Sequence, residues 1–482
     1  MQKGKNTYMK KYIFKTIAIT LLSLAVFLAV ACITRNCSKQ AITDSTSKIE
    51  ESEENGSEQI TQKPTEKPTE PPSEEEILQQ QLQELMALST PMLDFTITSE
   101  RTLSVKAKDT KIEGIGGTLV LPDTYMGTPV TAIDEYAFER CNKINAIIVP
   151  ESVTTLGRGA FRNMENLSTV ILSEAITTIS PYAFADCKAL ISVVLGENVT
   201  LIDDGAFSWC KELVSVNIPA TLTAIGDSAF EHCINLPSIS FPEGLKSIGN
   251  YAFFDCNDLS AIILPDGLES IGISAFYNCY RATNIYIGKA LQSIPKEAFK
   301  CCSKISEIII PPNITEIGEA AFSNCTDLVN IELPPSITAI PPRAFATCDS
   351  LQSIDIPDSV TQIGKSAFSL CQNLKSVNMP PKLTFIGQSA FERCKTLEKI
   401  TLPAGFDTLN ANMFWECSAL KEVELSSDIR SITMCVFDDC TSLQTIKFNG
   451  TSAEWNAIQK ADRWNDNTGN YTVVCNDVTL DK

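Results

Sequence analysis

The run Ala229-Phe230-Glu231-His232-Cys233-Ile234-Asn235-Leu236 decides the architecture, because its Ala-Phe-x-x-Cys-x-x-Leu skeleton returns at a constant interval. The phenylalanine recurs at Phe138, Phe161, Phe184, Phe207, Phe230, Phe253, Phe276, Phe299, Phe322, Phe345, Phe368, Phe391, Phe414 and Phe437, every step being 23 residues without insertion or deletion. A fixed period of this length marks a solenoid, in which one small unit repeats and each copy buries its apolar side against its neighbours. The 482 residues are therefore read as one elongated body, although length alone would give about three domains at ~150 residues each.

Within a unit, the stretch from Ala206 to Gly226 carries nearly every recurrent position. Leu213 to Ile218 alternates polar residues with the β-branched Val216 and Ile218, the pattern of a half-buried strand. Pro219 ends it, as do Pro150, Pro242, Pro265, Pro311, Pro334, Pro357, Pro380 and Pro403 in other units. Leu222 to Ile225 predicts a second strand, after which Gly226 is expected to supply a tight backbone turn into a short helical turn bearing Ala229 and Phe230. The fold class is thus a repeat solenoid of short parallel strands stacked coil on coil with short helical turns. Fourteen coils at ~4.8 Å each extend roughly 65 Å.

Thirteen of the 18 cysteines occupy one repeat position, three after the phenylalanine, with Met164 as the only exception. Methionine forms no disulfide and supplies no thiolate, so its presence marks a buried site for a small apolar side chain. Free buried thiols are expected, in keeping with a reducing or anaerobic habitat.

Residues 1–33 read as a signal peptide or membrane anchor: five lysines precede the uncharged run from Thr16 to Ile33. Cys32 follows Leu28-Ala29-Val30-Ala31 and is a candidate lipidation site of lipobox type, with a retained membrane helix or plain secretion as the alternatives. Residues 34–76 are a linker rich in Ser, Thr, Glu and Pro, expected to be disordered and extended. Residues 77–135 hold a short helix, with Leu78, Leu82, Leu85 and Met86 on one face over Glu74 to Leu88, and an N-terminal cap; 136–449 are the solenoid, and 450–482 a C-terminal cap.

The repeat resembles the BspA-like leucine-rich repeats, a 23-residue class of bacterial surface proteins, over about residues 92 to 449. The tail is similar to that group's C-terminal segment, with Phe448-Asn449-Gly450-Thr451, Glu454-Trp455-Asn456, Trp464, Asn467 to Asn470 and Tyr471. The resemblance implies a solenoid of leucine-rich-repeat type and the role of an adhesin that binds host, matrix or other cell-surface proteins.

Acidic residues outnumber basic ones 58 to 39, and most of the excess falls on residues 91–482, which argues against nucleic acid as a partner. His232 is the single histidine, so multi-histidine metal sites are excluded and few His-based catalytic arrangements remain; it occupies a variable position and is expected at the surface. No zinc spacing or EF-hand loop is present. No enzyme, metal or cofactor is expected.

Binding must then use positions that the repeat leaves free. The outward residue of the first strand, ten after each phenylalanine, should form a column on the concave face. Its members Ile263, Tyr286 and Ile309, followed by Glu332 and Asp355, are the candidate ligand-contact patch, since apolar residues there fill no core. A second column carries Thr154, Thr177, Thr200, Thr223, Thr315, Thr338, Thr361 and Thr384, read as cross-strand packing. The expected function is a protein-binding or adhesion scaffold anchored by its N-terminus on the extracellular side of the envelope. A structural, self-associating envelope protein is the alternative.

Overall fold

The computed structural model describes residues 74–112 and 117–482; the expected leader with Cys32 and all but the end of the linker lie outside them. Each coil, named here by its phenylalanine, contributes two short strands to two parallel ladders, except that the Phe230 coil supplies only the second. Register is in phase, with Ile262 opposite Ile285 and Ile263 opposite Tyr286. Each side chain therefore lies against its counterpart 23 residues away, and the repeat positions become columns.

The interior is built from those columns. The fourteen phenylalanine rings stack face to face, with successive centroids 5.2 Å apart from Phe207 to Phe276 and never more than 5.8 Å. Beside them all thirteen ladder cysteines and Met164 are buried, and the cysteines are free thiols. The coils are stitched through sulfur as well. Cys233 Sγ–H donates to the carbonyl of Phe207 at 3.2 Å, and every ladder cysteine from Cys187 to Cys440 makes the same bond to the phenylalanine one coil back, at 3.0–3.5 Å. That carbonyl also accepts the cysteine N–H of its own coil, as Phe207 does from Cys210 at 3.2 Å. A small apolar residue would fill the site, but only the thiol also donates to the second lone pair.

The segment around each phenylalanine is a chain of hydrogen-bonded turns and not the expected helical turn. Ser228 (φ 54°) and His232 (φ 58°) bracket Phe230 in the left-handed region, and their equivalents do so in the other coils, which breaks any helical run. The turns are themselves laddered: Ser228, Phe230 and His232 N–H groups donate to Asn250, Ala252 and Phe254 carbonyls. The glycine that precedes this segment also has another role than the turn expected of it. Gly226, Gly249, Gly272 and their equivalents do not have positive φ; a Cβ on any of the seven would meet the backbone of the preceding coil at 2.2–2.6 Å. Glycine is there to let two coils touch. All seven glycine coils pair with their predecessor in the second ladder, whereas all four openings of that ladder fall where Ser180, Pro295, Pro341 or Asn410 replaces it.

At the N-terminal end helix α1 (Glu74–Ser89) lies on the strand Thr118–Val120, burying Leu85, so it covers the end of the array. Ser89 Oγ donates to Leu85 O at 2.9 Å and accepts the Val120 N–H at 3.4 Å. At the other end helix α2 (Ser452–Ala457), closed by a Thr451/Glu454 capping box, brings Trp455 over the last coil, and Trp464 meets the final ring of the stack, Phe437, edge-on at 6.1 Å. Both exposed ends of the core are thereby covered.

Two outcomes follow. Gly249→Ala places a methyl 2.5 Å from Asp227 backbone and should cost about 2–3 kcal/mol, read as a lowered urea midpoint, whereas Gly244→Ala, with its nearest neighbour at 3.6 Å, should fall within ~0.5 kcal/mol of the parent. Burial pushes the Cys187, Cys371 and Cys417 thiols up to about 12 from an ordinary 9.0, and their neighbours in the column upward too. Folding thus favours the protonated form: this contribution is complete below pH 9 and is lost as pH rises toward 12, by about 1.4 kcal/mol per pH unit for each thiol. Urea melts should show a steep alkaline decline beginning near pH 9, made shallower by Cys233→Ala.

Candidate functional site

The first-strand ladder is continuous from Thr118–Val120 through Ser215–Val216 and again from Lys399–Thr401 to the C-terminal cap, but it opens at five junctions in between. The coil on the far side of each opening ends its strand position with proline: Pro242, Pro265, Pro311, Pro357 and Pro403. Where Ser426 and Asn449 replace the proline, the strands lengthen to five residues and pair throughout. Proline has no N–H to extend a ladder, so it ends the strand early. Pro150, Pro219, Pro334 and Pro380 sit in coils that remain paired, so proline permits an opening without enforcing it. In the Phe230 coil Pro237 also stands at the head of the strand position, and no strand forms there.

Three of the openings hold clefts. The first, about 640 Å³, lies between Asn284–Tyr286 and Glu307–Ile309, with Pro311 and Pro312 on its wall. The second, about 520 Å³, lies between Asn330–Glu332 and Ser353–Asp355 and shares Glu307 with the first. The third, of similar size, lies between Ser376–Asn378 and Lys399–Thr401.

The five residues expected to form a contact patch stand on this face in sequence. Ile263 pairs with Tyr286 and Ile309 with Glu332, all exposed; Tyr286 and Ile309 line the first cleft from opposite sides, and Glu332 and Asp355 line the second. Exposure is 46% at Ile263, 42% at Tyr286 and 61% at Ile309, high for apolar residues on a rigid strand. Tyr286 is held in place: its hydroxyl donates to Asp266 Oδ1 at 2.7 Å, and Lys289 Nζ reaches Asp266 Oδ2 at 2.6 Å. The bonds from Lys289 and Tyr286 hold the Asp266 carboxyl below its usual range, and the bond to Asp266 raises the Tyr286 phenol above its own.

The threonine column behaves as packing. Thr200, Thr223, Thr361 and Thr384 hydroxyls donate to the carbonyl one coil back at 3.0–3.3 Å. His232 is less open than its variable position implies. Its side chain is 20% exposed, set against Trp209 at a ring distance of 3.9 Å, with Nδ1 3.1 Å from Asp255. Trp209, His232, Phe254 and Tyr277 form an aromatic row along the turn segments. Sequence reasoning missed this row because its members occupy variable repeat positions; the only signal was an aromatic ring one or two residues after the repeat phenylalanine in four successive units. No group of three or more His, Cys, Asp or Glu able to hold a metal occurs among the described residues. Among the same residues no helix is long and apolar enough to cross a membrane.

If proline opens the first cleft, Pro311→Ser should restore pairing between the Phe276 and Phe299 coils. Hydrogen exchange should then show the amides of residues 307–310 gaining at least about tenfold protection, and unchanged rates would refute the role given to proline.

A leucine-rich repeat protein from Bacteroides ovatus ATCC 8483 superposes with a TM-score of 0.67 at 25% identity, over 80% of this chain and 98% of that one. A leucine rich cell surface protein from Faecalibacterium prausnitzii A2-165 is 24% identical over 76% of this chain and 96% of its own, with a TM-score of 0.45. A leucine-rich repeat protein from Eubacterium ventriosum ATCC 27560 is 19% identical over 79% and 94%, with a TM-score of 0.44. No curated protein matches the sequence. The family model of the BspA type leucine rich repeat region matches residues 119–237, 223–352 and 338–459, which together take in well over half of the chain. The stacked parallel coils and the matched repeats agree, and the chain belongs to the BspA type leucine-rich repeat family.

Proposed function

We propose that this chain is a non-enzymatic recognition scaffold, held at the outer side of the cell envelope by its N-terminus, which binds an extracellular protein through the first-strand face. The observation that carries this is the run of exposed side chains from Ile263 to Asp355 over two adjoining clefts, on a backbone fixed by columns on both sides. Rigid presentation lowers the entropy cost of docking, and exposed apolar residues next to a cleft are the ordinary make-up of a protein contact. Family membership supports a scaffold role, since the fold spends its invariant positions on stacking and leaves its outward columns free to vary. Attachment through an acylated Cys32 or through a retained helix serves this reading equally, and mass spectrometry of the mature N-terminus separates them.

The test is capture of extracellular matrix and host-surface proteins by the full chain, compared with Tyr286→Ala and Glu332→Lys. A partner recognised by this face should be lost at least about tenfold with either variant. Retention of every captured partner by both variants would overturn the assignment of the face.

A further inference from the structure

The two clefts differ in chemistry, and together they specify what sort of segment fits them. The first is walled by Tyr286, Ile309, Pro311 and Pro312, with Lys289 at its rim already engaged by Asp266 at 2.6 Å. The second presents Glu307, Glu332 and Asp355. None of these three carboxylates has a Lys, Arg or His within ion-pair distance among the described residues. Farther along the same face Glu422 shows the contrary case, paired with Lys399 at 2.9 Å and Lys447 at 2.7 Å. An apolar cleft thus runs directly into a row of carboxylates whose charge the chain itself leaves uncompensated.

We propose, resting on the face assigned above, that the occupant is an extended protein segment of the form apolar-x-basic-x-basic, running along the solenoid axis. Its apolar side chain enters the Tyr286/Ile309 cleft and its two cations lie on Glu332 and Asp355. The spacing supports this. From the middle of the first cleft, Glu332 is one and a half coils away and Asp355 two and a half, about 7 and 12 Å at ~4.8 Å per coil. Side chains two and four residues apart on one side of an extended strand are about 7 and 13 Å apart. Charge selects against a second copy of this chain as the occupant, because its net charge of -19 opposes a self-contact centred on carboxylates. A basic partner is drawn to the face and also gains specific pairing there.

The probe is a peptide, acetyl-Leu-Thr-Lys-Thr-Lys-Thr-amide, displayed at high density on a sensor surface, with the full chain as analyte. Two control peptides replace Leu by Ser or both Lys by Glu. The Leu/Lys peptide should bind, each control should bind at least about tenfold more weakly, and binding should fall steeply as salt rises from about 0.05 to about 0.5 M. Glu332→Lys, Asp355→Lys and Ile309→Ser should each weaken it at least about tenfold, whereas Asp462→Lys, in the C-terminal cap, should leave it unchanged. All four positions are solvent-facing or half-exposed, and unaltered thermal melts confirm that folding is intact. Equal binding of the Glu peptide, or insensitivity to both reversals, overturns the proposal. Should the Leu/Lys peptide fail while capture of a whole protein is still lost in Tyr286→Ala, this partner chemistry falls and the face stands; should neither depend on the face, both fall.

Discussion

The carbonyl of each phenylalanine is the point on which the coils bear. From Phe184 to Phe414 it accepts the N–H of the cysteine three residues on and, from the next coil, the S–H of that coil's cysteine. This double acceptance joins the turn within a coil to the stacking between coils, and it holds only while the interval stays at 23 residues. One inserted residue would shift a thiol away from its carbonyl and a ring off its stack together, which accounts for a period unbroken over fourteen units. Strand pairing is secondary by comparison. Both ladders open at several junctions, whereas the phenylalanine column is continuous.

Much of this was legible in the sequence because periodic burial writes itself as periodic residues. Phe230, Cys233 and Leu236 stand out by recurrence, and Met164 alone marks the cysteine site as interior, where the structure places it. Tyr286 and Ile309 were identifiable as outward residues by counting along a strand. What recurrence does not reveal is the reason for a residue. Gly226 recurs equally well whether glycine is needed for a dihedral or for contact between backbones, and only the 2.6 Å that a Cβ would leave to Asp204 decides for the second. The left-handed Ser228 and His232 were hidden for the complementary reason, since residues of many types fill those sites, glycine only at Gly159 and Gly205, and leave no pattern.

The candidate face depends on the same distinction. Proline after the first strand recurs so regularly that it reads as a terminator, a local role. Its second effect, to let two neighbouring coils part, is a property of a pair of coils and has no signature in either alone. The clefts were accordingly out of reach, although the residues that line them were not. Conversely, the aromatic row of Trp209, His232, Phe254 and Tyr277 shows that variable positions can still form a continuous surface once the columns are in register.

The thiol column has a consequence for the history of the molecule. In the finished solenoid each sulfur is encased and its proton is held far above the range where exchange with disulfides proceeds. Before folding, the same groups are ordinary thiols spaced 23 residues apart along a loose chain, able to pair with one another in many combinations. The sulfurs are shielded once the array is built and open to oxidants while it is being built, so closing a coil over its cysteine is a race against chemistry. Local contacts between consecutive coils, which bring no distant segments together, are the kind of assembly that wins such a race.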